Sequence, residues 1–370
     1  METIEKSPPF IVFTGITDPR SWRNQYHLLS DILFLTIAAV VSGANAWTEI
    51  ENFGTQKLDW LRKFGSFANG IPSHDTLGRV FAAMNPDELE QAFERWVADL
   101  AHIVGGEVVS IDGKTLRGSY DRHSGKAAIH MVSAWAGSNR IVLGQNKTDA
   151  KSNEITAIPA LLVLLALKGS IVTIDAMGCQ KDIVAQIRKQ KADYMITVKL
   201  NQPSLFEQIE RSFNCLEPSS VDEAVDVGHG RVETRKCELI TDLKWIECKD
   251  DWKDLAAVVR LTRTRHVKLD NTTSVETRYY IASSKQDAKT LNQVAKAHWA
   301  IENNLHWVLD VVFSEDAARN RIGYSDQNFS VIRRIALNMI KKETDSKGSI
   351  NIKRQRSALN DDYREIVLGI

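Results

Sequence analysis

No pair of cysteines in this sequence is spaced for a metal or a redox motif. Cys179, Cys215, Cys237 and Cys248 are scattered through 370 residues, and none forms Cys-x-x-Cys, which excludes a zinc ribbon or a thioredoxin-like centre. A chain of this length needs no disulfide staples, and lone thiols fit a reducing cytoplasm. No apolar run is long enough to cross a bilayer. The longest, Ile32 to Val41 and Ala157 to Leu167, are interrupted by Thr36 and Pro159 and read as buried helices. Met1 to Pro9 is polar and carries Glu2 and Glu5, so it is no secretory signal. No repeat or low-complexity tract is present. The expectation is a cytoplasmic protein with no membrane partner.

An excess of charge is missing too, with 47 basic and 47 acidic residues. Zero net charge does not exclude a nucleic-acid partner, because affinity for phosphate depends on local patches. Residues 1–100 carry about five excess negative charges, so the remainder carries about five positive ones. The richest basic stretch begins at Ile332 and includes Arg333, Arg334, Lys341, Lys342, Lys347, Lys353, Arg354 and Arg356. It reads equally as a binding patch or as a solvated tail.

What is present is 43% hydrophobic and 25% charged residues, the texture of a globular chain of two or three domains. Residues 25 to 100 read as helices. Ser73 is placed to cap one through Leu77, Val80 and Phe81, and Asn85-Pro86-Asp87-Glu88 opens another through Leu89, Phe93 and Trp96. From Glu107 the pattern changes to short β-type runs: 108–112, 127–136, 140–145, 170–174 and 194–198. Helical patterns fall at 155–167 and 181–191. The order β-β-β-α-β-α-β implies an α/β domain with a sheet of mixed direction. Residues 201–284 are irregular and strand-rich, like an insertion. Long helical patterns follow at 288–313 and 327–342.

Three carboxylates stand in unusual places. Asp112 and Asp175 each close an apolar β run and precede small residues, where α/β sheets hold ligands. Asp also begins turns, so either one alone decides little. The third is Glu302. On a helical wheel, Leu291, Val294, Ala295, Ile301, Leu305, Val308, Leu309, Val312 and Phe313 form an apolar arc. Glu302 falls inside that arc and His298 lies near its centre. A carboxylate facing a core needs a cation, either a basic side chain or a metal. His298, Glu302 and His306, at i, i+4 and i+8, also share a face that would suit zinc. They lack the adjacent His-Glu pair and second histidine of zinc-peptidase helices.

Several strings are distinctive: Ser110-Ile111-Asp112-Gly113-Lys114-Thr115-Leu116-Arg117, Lys151-Ser152-Asn153-Glu154-Ile155, Asp175-Ala176-Met177-Gly178-Cys179-Gln180-Lys181 and His298-Trp299-Ala300-Ile301-Glu302-Asn303-Asn304-Leu305-His306-Trp307. Ile71 to Thr76, His229 to Arg235 and Ala336-Leu337-Asn338 add to them. Together, over nearly the whole chain, the sequence resembles the H-repeat-associated (Rhs-linked) group of insertion-sequence DDE transposases.

The resemblance implies a ribonuclease-H-like catalytic core over 106–200 and 285–345, broken by a β-rich insertion at 201–284. An N-terminal helical domain at 1–105, DNA-binding or accessory, would precede it, and a basic tail at 346–370 would follow. Asp112, Asp175 and Glu302 would bind two Mg²⁺ (or Mn²⁺) ions about 4 Å apart for strand cleavage and joining. Lys114, Arg117 and His298 are the candidate DNA phosphate contacts. The expected partners are the element ends and target DNA, with a homodimer as the active form. The wider DDE group carries Tyr, Arg and Lys around the glutamate, where this chain has Ala295, His298 and Leu309. Members of the nearer group also tend to have Arg at Lys296 and Gly at Leu200. A catalytically inactive DNA-binding relic is the alternative; loss of a triad carboxylate would favour it, and all three are present.

Overall fold

The structure is a computed structural model that describes residues 13, 15–100, 106–121, 125–148, 154–228 and 230–370. The strings at 151–153 and at His229 fall outside them in those positions.

Five helices come first: α1 (Leu29–Val41), α2 (Trp47–Gln56), α3 (Leu58–Leu61), α4 (His74–Ala83) and α5 (Pro86–Leu100). The expected starts hold. Ser73 accepts from the Thr76 amide to cap α4, and Asn85 Oδ1 accepts from the Asp87 amide at 3.0 Å ahead of α5. α1 is buried from Asp31 to Val41, which explains why it is apolar on every side. Among the described residues, no helix is long and apolar enough to cross a membrane.

The α/β part follows as β1 (Val108–Leu116), β2 (Ile129–Ala136), β3 (Ile141–Lys147), α6 (Glu154–Leu164), β4 (Ile171–Ile174), α7 (Lys181–Lys189) and β5 (Asp193–Val198). Next come α8 (Pro203–Cys215), β6 (Ser220–Gly228), β7 (Arg231–Ile240), β8 (Ala257–Val267) and β9 (Thr272–Ala282). Among the described residues, nine strands join one sheet, in the order β3-β2-β1-β4-β5-β9-β8-β7-β6. β2 is antiparallel to β1 and β3, while β1, β4 and β5 run parallel. β9 pairs antiparallel with β5, so the 201–284 segment extends the same sheet.

The chain then forms α9 (Ala288–Ile301), a π-helical turn at Glu302–His306, and α10 (Trp307–Val311). The expected single helix over 288–313 is therefore interrupted at the glutamate. Such turns arise where a helix carries one residue more than its hydrogen-bond ladder accommodates. Lys341 Nζ donates to the Asn304 carbonyl at 2.9 Å, giving one oxygen of that turn a partner. Leu291, Val294 and Ala295 of α9 pack on Ile171, Met195, Leu239, Val259 and Tyr280 of the sheet.

α11 (Ser325–Lys342), α12 (Ile350–Leu359) and α13 (Asp361–Leu368) close the chain. α11 is buried from Ser325 to Ile340 and shares one core with the N-terminal helices and the sheet. Residues 346–370, expected as a basic tail, are instead packed helices. Their cations bond inward because helix ends leave carbonyls unpaired. Arg354 donates to the Val40 and Ala44 carbonyls at 2.9 and 3.1 Å, at the end of α1. Arg364 lies 3.9 Å over the Trp60 ring. Arg333, Arg334 and Lys353 are buried as well, which removes half of the expected basic patch from the surface.

Candidate active site

Three layers of side chains build the site from the sheet upward. In the lowest, Ser110 on β1 and Thr173 on β4 are paired in register, with their hydroxyls 3.2 Å apart. His298 on α9 closes this layer, its Nδ1 2.9 Å from Thr173 Oγ1. Side chains on a strand return to one face every second residue, and on a helix every fourth. The next layer holds Asp112 and Asp175, with the charge of Glu302 felt at Asp112.

The parallel pairing of β1 with β4 ends at Ile111 and Ile174. Asp112 and Asp175 are the next residues on each strand. β1 itself continues to Leu116 against β2, so Asp112 lies mid-strand and not, as expected, at a strand end. It is the first β1 residue with no β4 neighbour, which is what opens a space beside it. Asp112 Oδ1 accepts from the Gly113 amide at 2.9 Å. Asp175 Oδ1 accepts from the Met177 amide at 2.9 Å and begins a short 3₁₀ turn, so the turn-forming role holds alongside any other.

Burial pushes the Asp112 carboxyl up to about 7; the Gly113 amide opposes this, and the charges of Asp175, Glu154 and Glu302 add to it. Burial, then the charge of Glu154, likewise raises Asp175 against its turn amides and Lys199. The neighbouring charges that act on Asp112 are thus all carboxylates. An oxygen-only donor set with this mutual repulsion fits a hard divalent cation.

Glu302 is exposed, which corrects the expectation of a carboxylate buried in the apolar arc. It opens the π-helical turn where α9 ends, and β4 stops at Ile174. The residue lines a cavity of about 650 Å³ with Trp299, Arg231, Arg235, Arg263 and Lys296. Arg263 and Arg278 lie over Trp299 at 4.6 and 5.1 Å. Most of these cations are paired: Arg235 and Lys296 with Asp226, and Arg263 with Glu233.

Two expected phosphate contacts are placed elsewhere. Lys114 is buried and bonded to Asp310, to Glu315 at 3.0 Å and to Asp316 at 3.2 Å. Its side chain follows the alternation of β1 to the face covered by the segment after α10. His298 is half-buried against Thr173, and burial, then Arg278, lowers it to about 4, so it is neutral near pH 7. Arg117 alone remains exposed, its side chain 84% accessible and 3.8 Å from Asp316.

The zinc reading fails as well. His306 turns its Nδ1 to within 3.5 Å of Asp112 Oδ2 while His298 faces Thr173. Among the described residues, no group of three His, Cys, Asp or Glu side chains is arranged to hold a metal ion, so Asp112, Asp175 and Glu302 are not gathered into one either.

The sequence reading gave Glu154 no role. It stands at the first turn of α6 with Oε1 2.7 Å from His130 Nε2. Its position in the Lys151 to Ile155 string was the available signal.

Comparison with known proteins agrees with this architecture. The family described as "Transposase DDE domain" matches residues 104–339, and the family "DDE_Tnp_1-associated" matches residues 10–97. "Putative transposase YncI" of Escherichia coli O157:H7 is 45% identical over 96% of this chain and 92% of its own. "H repeat-associated putative transposase YhhI" of E. coli K12 is 41% identical over 95% and 94%. A piggyBac transposase synaptic complex with hairpin DNA covers 96% of this chain and 76% of its own at 10% identity, with a TM-score of 0.45; nothing is drawn from so distant a likeness. The chain belongs to the DDE transposase family, in its H-repeat-associated group.

Proposed function

We propose that this protein is an insertion-sequence transposase that cleaves and joins DNA strands, with Asp112, Asp175 and Glu302 as its divalent-metal triad. The observation that carries the reading is the emergence of Asp112 and Asp175 side by side past the last β1–β4 pair, with the charge of Glu302 acting on Asp112. The order β3-β2-β1-β4-β5 supports a ribonuclease-H-like core over 106–200 and 285–345, with 201–284 as its insertion and 1–105 as an accessory helical domain.

Two Mg²⁺ or Mn²⁺ ions would supply activation of water or a DNA 3′-hydroxyl and stabilise the leaving oxygen in an in-line displacement. The chain's part is to present the oxygen donors. Asp112, held by the Gly113 amide, would hold the ions together with Asp175 and Glu302. The Thr173–His298 contact sets the rotation of α9 one turn before Glu302. Arg117 is the phosphate contact this reading retains. The cavity beside Glu302 offers a route for DNA, lined by cations that could exchange an internal carboxylate for a phosphate. Two copies would act together on the two element ends, in the cytoplasm where the unpaired thiols fit.

The test is a cleavage assay on duplexes carrying the element's own ends, with Mg²⁺ or Mn²⁺, comparing wild type with Glu302→Gln. Nicking and joining by wild type alone, with equal end binding, is expected. Full cleavage by Glu302→Gln would overturn the triad. Binding without cleavage by wild type would favour the inactive relic.

A further inference from the structure

Gly113 follows Asp112 on β1, and its missing side chain is filled from another element. A Cβ at Gly113 would stand 2.2 Å from Glu154 Oε1 and 2.3 Å from His130 Nε2. Side chains alternate across a strand, so Glu154 approaches this part of β1 from the face opposite Asp112. β4 ends here, and no strand separates the two carboxylates on that side.

Glu154 is also steered. His130 Nε2 is 2.7 Å from its Oε1, and His130 Nδ1 is 2.9 Å from Thr115 Oγ1. The imidazole is therefore fixed at both nitrogens and holds the carboxylate over Gly113. Only 15% of the Glu154 side chain is accessible. A half-buried carboxylate beside two others, held by an imidazole and not by Lys or Arg, is an expensive arrangement without a cation. Carboxylate ligands of metals are commonly oriented by such outer hydrogen bonds. A separate sign comes from His306, 3.5 Å from Asp112. It is 92% buried, from its 8% accessibility, and its Nε2 has no hydrogen-bond partner among the described residues.

We propose that Glu154, steered by His130, is a fourth carboxylate of the divalent-cation site formed by Asp112 and Asp175. The proposal rests on the metal-dependent reading above. The competing role is a tether, in which the His130–Glu154 contact only ties α6 to β2.

The experiment is Mn²⁺ binding to the full chain, read by electron paramagnetic resonance of free Mn²⁺, with thermal melting in EDTA as the fold control. Glu154→Gln should weaken Mn²⁺ binding at least tenfold while melting as wild type does. Glu154→Asp should recover part of the affinity. His130→Phe should also weaken Mn²⁺ binding, because it removes the hydrogen bond that steers Glu154 and leaves Asp112 and its Gly113 amide as they are, and it supplies the test should Glu154→Gln fold poorly. If Glu154→Gln binds as wild type does while Asp112→Asn loses Mn²⁺, Glu154 is a tether and this inference alone falls. If Asp112→Asn also binds normally, the metal-dependent reading falls with it.

Discussion

Lys114 Nζ lies 3.0 Å from Glu315 Oε2 in the protein interior, two residues beyond Asp112 on β1. Glu315 is fully buried and also takes a 2.9 Å bond from Arg334 on α11. This trio fastens the strand that carries Asp112 to the segment just after the Glu302 helix. Gly118 permits the close fit, since a Cβ there would stand 2.1 Å from the Ala318 carbonyl.

Lys114→Met should therefore act on stability first. It leaves Asp310 and Asp316 without their shared partner and takes from the buried Glu315 one of its two cations; breaking a buried pair outright costs about 3–5 kcal/mol, and Arg334 keeps the loss below that. Denaturant titration should show that loss, and cleavage should fall as the strand loosens. A loss of DNA affinity with unchanged stability would return Lys114 to the role of phosphate contact.

The same pair sets an acid response. Burial alone would raise Glu315; the charges of Arg334 and Lys114 win and hold it at about 2, against an ordinary 4.5. A depressed folded value means its contribution is complete above about 4.5 and is lost as pH falls toward 2. Stability curves of wild type and Glu315→Gln should converge over that interval. Parallel curves would show that the ion pair contributes nothing to folding.

Asp112 has the opposite sign. Its folded value, about 7, lies above the ordinary 3.8, so the folded state holds the extra proton, and stability falls as pH rises from about 4 to 7. In EDTA, Asp112→Asn should melt a few degrees higher than wild type at pH 7.5 and equally at pH 4. It should lose strand cleavage, and Mg²⁺ should stabilise only wild type. Cleavage by Asp112→Asn would remove this residue from the triad.

Arg117 and His298 should separate in DNA binding. Arg117→Ala should weaken end binding and lower the slope of log K against log salt by about one. His298→Ala should leave that slope unchanged, because its ring faces Thr173, and should reduce cleavage through the rotation of α9. A salt slope altered by His298→Ala would restore it as a phosphate contact.

Most elements could be read from the sequence, because their patterns report local physics. Ser73 and Asn85 cap where expected, and the β runs ending near Ile174 and Val198 became β4 and β5. Helix α8 and strand β6 were not anticipated: β6 alternates half-buried with exposed positions and buries none, as befits its place at the sheet edge. Residues 346–370 misled because charge suggests solvent, whereas Arg354 and Arg364 answer carbonyls and rings brought from distant helices. The wheel placed Glu302 in the buried arc, whereas it is exposed at the start of a π-helical turn; no periodicity reveals such a turn or where a neighbouring strand stops. For the same reason, Lys114 was expected to meet a DNA phosphate, whereas Asp310, Glu315 and Asp316 fold over it.

One consequence of the unbroken sheet concerns which molecule must give way. β5 and β9 are stitched together from Met195–Ala282 to Val198–Tyr279, so the strands lining the Glu302 cavity are hydrogen-bonded through to those beside the aspartates. On the proposed function, a duplex reaching these carboxylates has to distort against a rigid mould. The stiffness of each base step near the cut, and not only its hydrogen-bonding edges, would then govern which ends are processed.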